Sequence, residues 1–104
     1  MSNTLVAKRY ATALFTLAQE KKTLEATLED ARAVKEVFSG NGELIAFLKN
    51  PRVTSEQKKQ LLTDAFGSLS QDMQSTIHLM AGRQRIDEIA DMSKAVIELV
   101  NEAN

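Results

Sequence analysis

The sequence contains no cysteine and no tryptophan, and it has one proline, one histidine and four glycines among 104 residues. Because cysteine is absent, the chain can form no disulfide, no thiolate-bound zinc site and no cysteine-based active site. No apolar run approaches the roughly 18 residues of a membrane-spanning helix, and the first residues lack a signal-peptide pattern. We therefore expect no direct insertion into a membrane.

The composition is that of an ordinary soluble domain, with 43% hydrophobic and 26% charged residues. A chain of this length is enough for one domain with a modest core. The formal net charge of −1 argues against a nucleic-acid-binding module, since such modules normally carry a strong basic excess. We expect a single globular domain whose partners do not include nucleic acid.

Helical periods and capping residues predict six helices, and no segment alternates apolar and polar residues as a strand would. The predicted ranges are residues 5–20, 24 to about 39, 43 to about 49, 54–66, 70 to about 82, and about 86 to 100. The Thr23 hydroxyl, a capping box from Thr54 to Gln57, and Ser70 are the predicted N-terminal caps. Asn50-Pro51 and Gly67 are predicted to end helices. The predicted fold class is an all-α six-helix bundle.

Apolar residues that recur every three or four positions identify the expected core faces of the later helices. These positions are Leu24, Leu28, Ala31, Val34 and Phe38 on the second helix, Met73, Ile77 and Met80 on the fifth, and Ile86, Ile89, Ala90, Ile97 and Val100 on the sixth. Leu79 lies off the stripe of the fifth helix, among polar neighbours.

We predict no catalytic, cofactor-binding or metal-binding residue. His78 lies beside the apolar stripe of the fifth helix without a Ser, Cys or carboxylate at helical spacing, so we interpret it as structural. Asp87 and Asp91 share a helix face, but Asp87 and Glu88 fall in a first helical turn, where negative charge is favourable. No glycine-rich phosphate loop is present. This pattern favours a binding or scaffolding module over an enzyme.

The first helix is apolar over an arc of about 200°, whereas a surface helix that packs only on its own core shows an arc near 100°. Ala7, Ala11, Phe15 and Ala18 form one apolar face, Val6, Tyr10, Ala13 and Leu17 form a second, and Leu14 lies between them. Two interpretations stay open at this point. Either the helix is buried at the centre of the bundle, or the second face binds a partner.

Three stretches of the chain resemble, in the same order, the δ subunit family of F-type ATP synthases, which includes the mitochondrial oligomycin-sensitivity-conferring protein. The first is Val6-Ala-Lys-Arg-Tyr-Ala-Thr-Ala-Leu-Phe15. The second is Phe47-Leu-Lys-Asn-Pro51 followed by residues 54–62, and the third is Ile77-His-Leu-Met-Ala-Gly-Arg-Gln-Arg-Ile86. The resemblance covers nearly the whole chain. It implies that residues 1–104 are the helical N-terminal domain of a longer subunit whose C-terminal, stalk-binding part is absent.

The resemblance also implies a function. The domain would be a non-catalytic stator module, without a cofactor, that binds the N-terminal helix of an α subunit of the catalytic head. A peripheral stalk subunit would bind the missing C-terminal part, at the cytoplasmic face of the bacterial inner membrane. The alternative is a free-standing helical adaptor or regulatory protein that binds another amphipathic helix.

In the family, the first and fifth helices form the surface that receives the α-subunit helix. Carried onto this sequence, that surface implicates Tyr10 and Ala13 on the first helix and Leu79 on the fifth. Residues of the second apolar face of the first helix, Leu14 beside that face, and Thr76 near Leu79 complete the surface. The expected partner-binding residues are Val6, Tyr10, Ala13, Leu14, Leu17, Thr76 and Leu79.

Overall fold

The computed structural model describes residues 4–103, which form six α-helices and one short 3-10 helix, with no strand among them. The helices are α1 (Leu5–Lys21), α2 (Leu24–Ser39), α3 (Gly42–Lys49), α4 (Ser55–Phe66), α5 (Gln71–Gly82) and α6 (Ile89–Ala103), and the 3-10 helix covers Ile86–Glu88. The predicted all-α, six-helix architecture is confirmed.

Two of the predicted N-terminal caps are confirmed. The Thr54 side chain accepts a hydrogen bond from the amide of Gln57 at 3.1 Å, and the Gln57 side chain accepts one from the Thr54 amide at 3.0 Å. This reciprocal pair satisfies two amide donors at the start of α4. The Ser70 side chain accepts from the Met73 amide at 3.3 Å and caps α5 in the same way.

The prediction that the Thr23 hydroxyl caps α2 is wrong. Thr23 precedes α2 but makes no side-chain cap, and its φ of −121° and ψ of 31° depart from the extended conformation of most caps. Only Lys22 and Thr23 connect α1 to α2, so Thr23 does not adopt the extended conformation that a side-chain cap requires. Lys22 adopts the left-handed conformation, and the Thr23 amide donates to the Ala18 carbonyl at 2.8 Å. Residue 23 therefore closes α1 instead of capping α2 with its side chain.

The start of the last helix also differs from the prediction. Residues 86–88 wind as a 3-10 helix, and α6 begins only at Ile89 and continues to Ala103. Its buried residues are Ile89, Met92, Ser93, Ala95, Val96 and Val100, whereas Ala90 and Ile97, predicted for the inner face, are only half-buried. Because α6 begins three residues later than predicted, the positions that face the core are those at helical spacing from Ile89 and not those at helical spacing from Ile86.

The core is built around α6, which packs against α1 and α2. Three of the four buried residues of α1 are alanines, Ala7, Ala11 and Ala18. Small side chains let two helix axes approach closely, so α1 can lie tightly against α6. The predicted core residues Leu28, Ala31, Val34 and Phe38 of α2 are all buried, while Leu24 is half-buried.

An aromatic pair joins the ends of α2 and α4. The rings of Phe38 and Phe66 stack with centroids 5.8 Å apart and an interplanar angle of 12°, and each side chain is 2% exposed. Stacked rings at this spacing add to the free energy of apolar burial. The pair anchors α4, and α4 in turn contacts α5, the helix that carries Leu79.

Candidate partner-binding surface

The apolar arc of α1 divides into a core face and an outer face, but the boundary between them differs from the predicted one. The buried residues are Ala7, Ala11, Leu14 and Ala18. Leu14 is 3% exposed and belongs to the core, so it does not remain in the partner-binding set, and Phe15 is only half-buried. The spacing explains the difference, because 7, 11, 14 and 18 follow one helical stripe more closely than a set that includes 15.

The outer face of α1 consists of Val6, Tyr10, Ala13 and Leu17, which also follow one stripe. Val6 and Tyr10 are half-buried, Ala13 is exposed, and Leu17 is 38% exposed. Tyr10 packs against the core cluster. Each residue of this stripe therefore keeps part of its surface accessible, and Tyr10 also contacts the core.

The α5 helix presents a matching stripe beside its buried face. Met73, Ile77 and Met80 are buried as predicted, while Leu79 is 45% exposed and Thr76 is half-buried. The Thr76 hydroxyl donates to the Asp72 carbonyl at 2.9 Å within the same helix. Because its hydroxyl is already used, Thr76 offers a partner mainly its methyl group.

Two polar contacts fix α1 and α5 side by side and antiparallel. Lys21 Nζ lies 2.7 Å from Asp72 Oδ2, and Arg83 Nη1 lies 3.5 Å from Tyr10 Oη. Lys21 lies eleven positions after Tyr10, and Arg83 lies eleven positions after Asp72. The equal spacing keeps the two stripes in register over about 17 Å, which is roughly three helical turns.

We call the surface along these two helices the α1/α5 groove, and we assign to it Val6, Tyr10, Ala13, Leu17, Thr76 and Leu79. Helical spacing places Thr76 and Leu79 on the same side of α5 as Asp72 and Arg83, the residues that contact α1. At its Tyr10 end the groove opens into a cleft of about 410 Å³, whose walls also include Arg9, Arg83 and Arg85. Of the seven predicted partner-binding residues, Val6, Tyr10 and Ala13 line this cleft, and Leu14 lies in the core. Leu17 continues the outer stripe of α1, and Thr76 and Leu79 lie along α5. Whether a partner binds them stays a prediction.

No pattern in the sequence indicated that three arginines lie at the end of the groove. Arg83 and Arg85 follow the last turn of α5, and Gln84 between them has a positive φ of 61°. That left-handed residue turns the chain and brings both side chains to the cleft. Helical periodicity stops at Gly82, so no pattern could place them. Arg9 lies on the predicted polar side of α1.

Neither a metal-binding cluster nor a membrane-spanning helix is found among the described residues. Within residues 4–103, no group of three or more His, Cys, Asp or Glu side chains is placed to hold a metal ion. His78 is half-buried in a different cleft, beside Lys58, Lys59 and Leu62. No helix in the described part of the chain has the length and apolarity that crossing a membrane requires.

The exposed apolar side chains are concentrated on the same two helices. Of the four large hydrophobic residues that are exposed between positions 4 and 103, Leu5, Leu17 and Leu79 lie on α1 and α5, and only Phe47 lies elsewhere. The fold and the surface therefore define an all-α helical domain that exposes apolar side chains along two adjacent helices.

Comparison with known proteins identifies the family. The model of the family described as ATP synthase delta (OSCP) subunit matches residues 6–104. The proteins named ATP synthase subunit delta from Bacillus thuringiensis (strain Al Hakam), Bacillus cereus (strain AH820) and Bacillus anthracis (strain A0248) are each 44% identical to this chain over 102 residues. The chain belongs to the ATP synthase delta (OSCP) subunit family, as its sequence predicted. Members of this family are non-catalytic stator components of the complex.

The matched region is a part of each relative. The alignment covers 98% of this chain but 57% of each of these three proteins. The chain therefore spans little more than half the length of the curated relatives that it matches.

Proposed function

We propose that this chain is a stator module that holds the N-terminal helix of an ATP synthase α subunit in the α1/α5 groove. In this proposal the module helps to tether the catalytic head to the peripheral stalk. The stalk subunit is contacted by a part of the longer subunit that lies outside residues 1–104. The complex holds the module at the cytoplasmic face of the bacterial inner membrane.

The observation that carries the proposal is the open apolar groove itself. Leu17 and Leu79 are 38% and 45% exposed on adjacent helices, in stripes that two interhelical contacts keep in register. The core does not need these side chains, because Leu14, Ile77 and Met80 already fill the inner faces of the same helices. Burying the outer stripes against a partner would remove further apolar surface from water, which favours association.

The dimensions of the groove suit a helix of modest length. Its length of about 17 Å matches roughly eleven residues of α-helix, and a groove between two helices receives a third through apolar positions at i, i+3, i+4 and i+7. An apolar contact of this kind is also less sensitive to salt than a contact between charges. That property suits a tether that carries load during many turnovers.

The test is a titration of the chain with a peptide of the α subunit's N-terminal segment. Calorimetry or fluorescence measures the binding. Leu79→Asp places a charge in the groove and should weaken binding by at least about thirty-fold, which corresponds to roughly 2 kcal/mol. Phe47→Asp is the matched control, since Phe47 is 38% exposed on α3 and lies outside the groove. Circular dichroism should show unchanged helicity for both variants.

Two results would count against the proposal. If Leu79→Asp binds the peptide as tightly as Phe47→Asp does, the α1/α5 groove is not the site. If an amphipathic helical peptide of unrelated sequence binds as tightly as the α segment, the chain is a general adaptor for amphipathic helices.

A further inference from the structure

Three arginines line the cleft at the Tyr10 end of the α1/α5 groove. Arg9, Arg83 and Arg85 line the same cleft as Tyr10 and Ala13. Arg83 Nη1 lies 3.5 Å from the Tyr10 hydroxyl, which carries no charge. Within residues 4–103, no ion pair joins Arg9 or Arg83 to an acidic side chain. Two of the three positive charges therefore have no acidic partner among residues 4–103.

The third arginine has one acidic neighbour, Glu88. Arg85 Nη1 lies 3.4 Å from Glu88 Oε2, and the Thr4 hydroxyl donates to Glu88 Oε1 at 2.6 Å. Both carboxylate oxygens of Glu88 are thus occupied, and its side chain is only 16% exposed. Glu88 neutralises at most one guanidinium, so the cleft keeps a net positive charge.

The other end of the groove holds an ion pair. There Lys21 Nζ and Asp72 Oδ2 lie 2.7 Å apart, so the charge of Lys21 already has a partner. The two ends are about 17 Å apart, whereas electrostatic effects between exposed charges are screened over about 8 Å at physiological salt. A charge on a bound helix therefore experiences one end of the groove and not the other.

We propose that the helix bound in the α1/α5 groove carries one or more carboxylates at the end that lies over Tyr10, and that Arg9, Arg83 and Arg85 bind them. This inference rests on the proposed function and adds the chemistry and direction of the partner. An apolar helix end placed over these guanidinium groups would remove water from them without compensation, which is unfavourable. Carboxylates supply that compensation and form charge-assisted hydrogen bonds with guanidinium groups.

The same charges determine which way the partner helix runs. If the helix is reversed in the groove, its carboxylates lie at the Lys21–Asp72 end, where the positive charge is already paired. The reversed complex loses the contacts between arginines and carboxylates. The positive charges of the cleft then lose water without gaining an acidic partner. The apolar stripes therefore provide the contact area, and the arginines select one of its two directions.

The experiment measures association and dissociation rates by stopped flow, at several salt concentrations, with a peptide of the α subunit's N-terminal segment. The test variant is the double substitution Arg9→Gln and Arg83→Gln. The matched control is Arg32→Gln with Arg52→Gln, which removes the same charge; Arg32 lines a different cleft with Ile97, and Arg52 lies between α3 and α4. A second peptide carries Asn and Gln in place of every Asp and Glu.

We expect the test variant to bind the native peptide about three- to ten-fold more slowly at low salt, with a smaller salt dependence. It should also release the peptide faster, because the contacts between arginines and carboxylates are lost from the complex. The control should behave like the wild type. The neutral peptide should bind the wild type as slowly as the native peptide binds the test variant, and the arginine substitutions should slow it no further.

The outcomes separate this inference from the proposed function. If the wild type does not bind the native peptide, or Leu79→Asp does not weaken binding, the groove is not the site and both proposals are wrong. If Leu79→Asp weakens binding but the test variant matches the control with both peptides, the groove is the site and the arginine inference alone is wrong. An α segment that has no carboxylate and still binds would also overturn it.

Discussion

Lys21 Nζ lies 2.7 Å from Asp72 Oδ2 and joins the last turn of α1 to the first turn of α5. The two side chains are 53% and 33% exposed, so water and salt screen the pair. It closes the end of the α1/α5 groove that lies opposite the arginines. We interpret it as a contact that sets the register of the two helices more than one that stabilises the fold.

The first prediction concerns the energy of this pair. Lys21→Met should lower the free energy of unfolding by about 0.2–1 kcal/mol, because exposed ion pairs contribute little. Urea denaturation at low and high salt should show a smaller effect at high salt. A double-mutant cycle with Asp72→Asn isolates the pair. A coupling of several kcal/mol would show that the contact holds the fold together.

The second prediction concerns the left-handed residue after α1. Lys22 has a φ of 60°, a conformation that costs an ordinary L-residue about 1 kcal/mol and glycine almost nothing. Lys22→Gly should therefore raise the free energy of unfolding by up to about 1 kcal/mol. Lys8→Gly is the control, since Lys8 is exposed inside α1, where glycine should lower stability by about 1 kcal/mol. Thermal denaturation should shift in opposite directions for the two variants.

The third prediction concerns the stacked rings of Phe38 and Phe66. Both side chains are 2% exposed, so Phe38→Ala should lower the free energy of unfolding by about 3–5 kcal/mol through lost burial and a cavity. Phe47→Ala removes the same atoms from a side chain that is 38% exposed and should cost much less. Equal losses in chemical denaturation would mean that the stacked pair does not anchor α4.

Features that depend on neighbouring residues could be predicted from the sequence. The Thr54 capping box and the Ser70 cap each involve residues three apart, so the sequence alone contains both partners. The Thr23 cap could not be predicted correctly from neighbouring residues alone. Its outcome depended on the end of α1, where the Thr23 amide donates to the Ala18 carbonyl. Gly67 ends α4 as predicted, but with a φ of −65° rather than a left-handed one. Its lack of a side chain matters because a Cβ there would lie 2.7 Å from the Thr63 carbonyl oxygen.

Features that depend on packing could be predicted only in part. The width of the apolar arc of α1 indicated two faces, but the rotation that buries Leu14 and leaves Phe15 half-buried is set by how closely alanines let α1 approach α6. Leu79 could be recognised because it lies off the stripe of α5. The nearness of Arg83 to Tyr10 could not, since it depends on the turn at Gln84 and on tertiary contact between distant segments.

The last prediction separates the two parts of the Tyr10 side chain. The ring is half-buried and packs against the core, while the hydroxyl lies 3.5 Å from Arg83. If the ring provides the contact with the α-subunit helix, Tyr10→Phe should bind the α segment within about three-fold of the wild type. Tyr10→Ala should lose about thirty-fold in affinity, or roughly 2 kcal/mol, as a truncated aromatic anchor does.

Because Tyr10 also contacts the core, Tyr10→Ala should lower the melting temperature, unlike Leu79→Asp. Binding is therefore measured at a temperature where circular dichroism shows both Tyr10 variants fully folded. Phe15→Ala is the control, since Phe15 is a half-buried aromatic of α1 that packs on the same core and lies outside the groove. It should lower stability without weakening binding of the folded chain. If Tyr10→Ala binds as tightly as Phe15→Ala under these conditions, the ring serves the fold alone and is not an anchor for the partner.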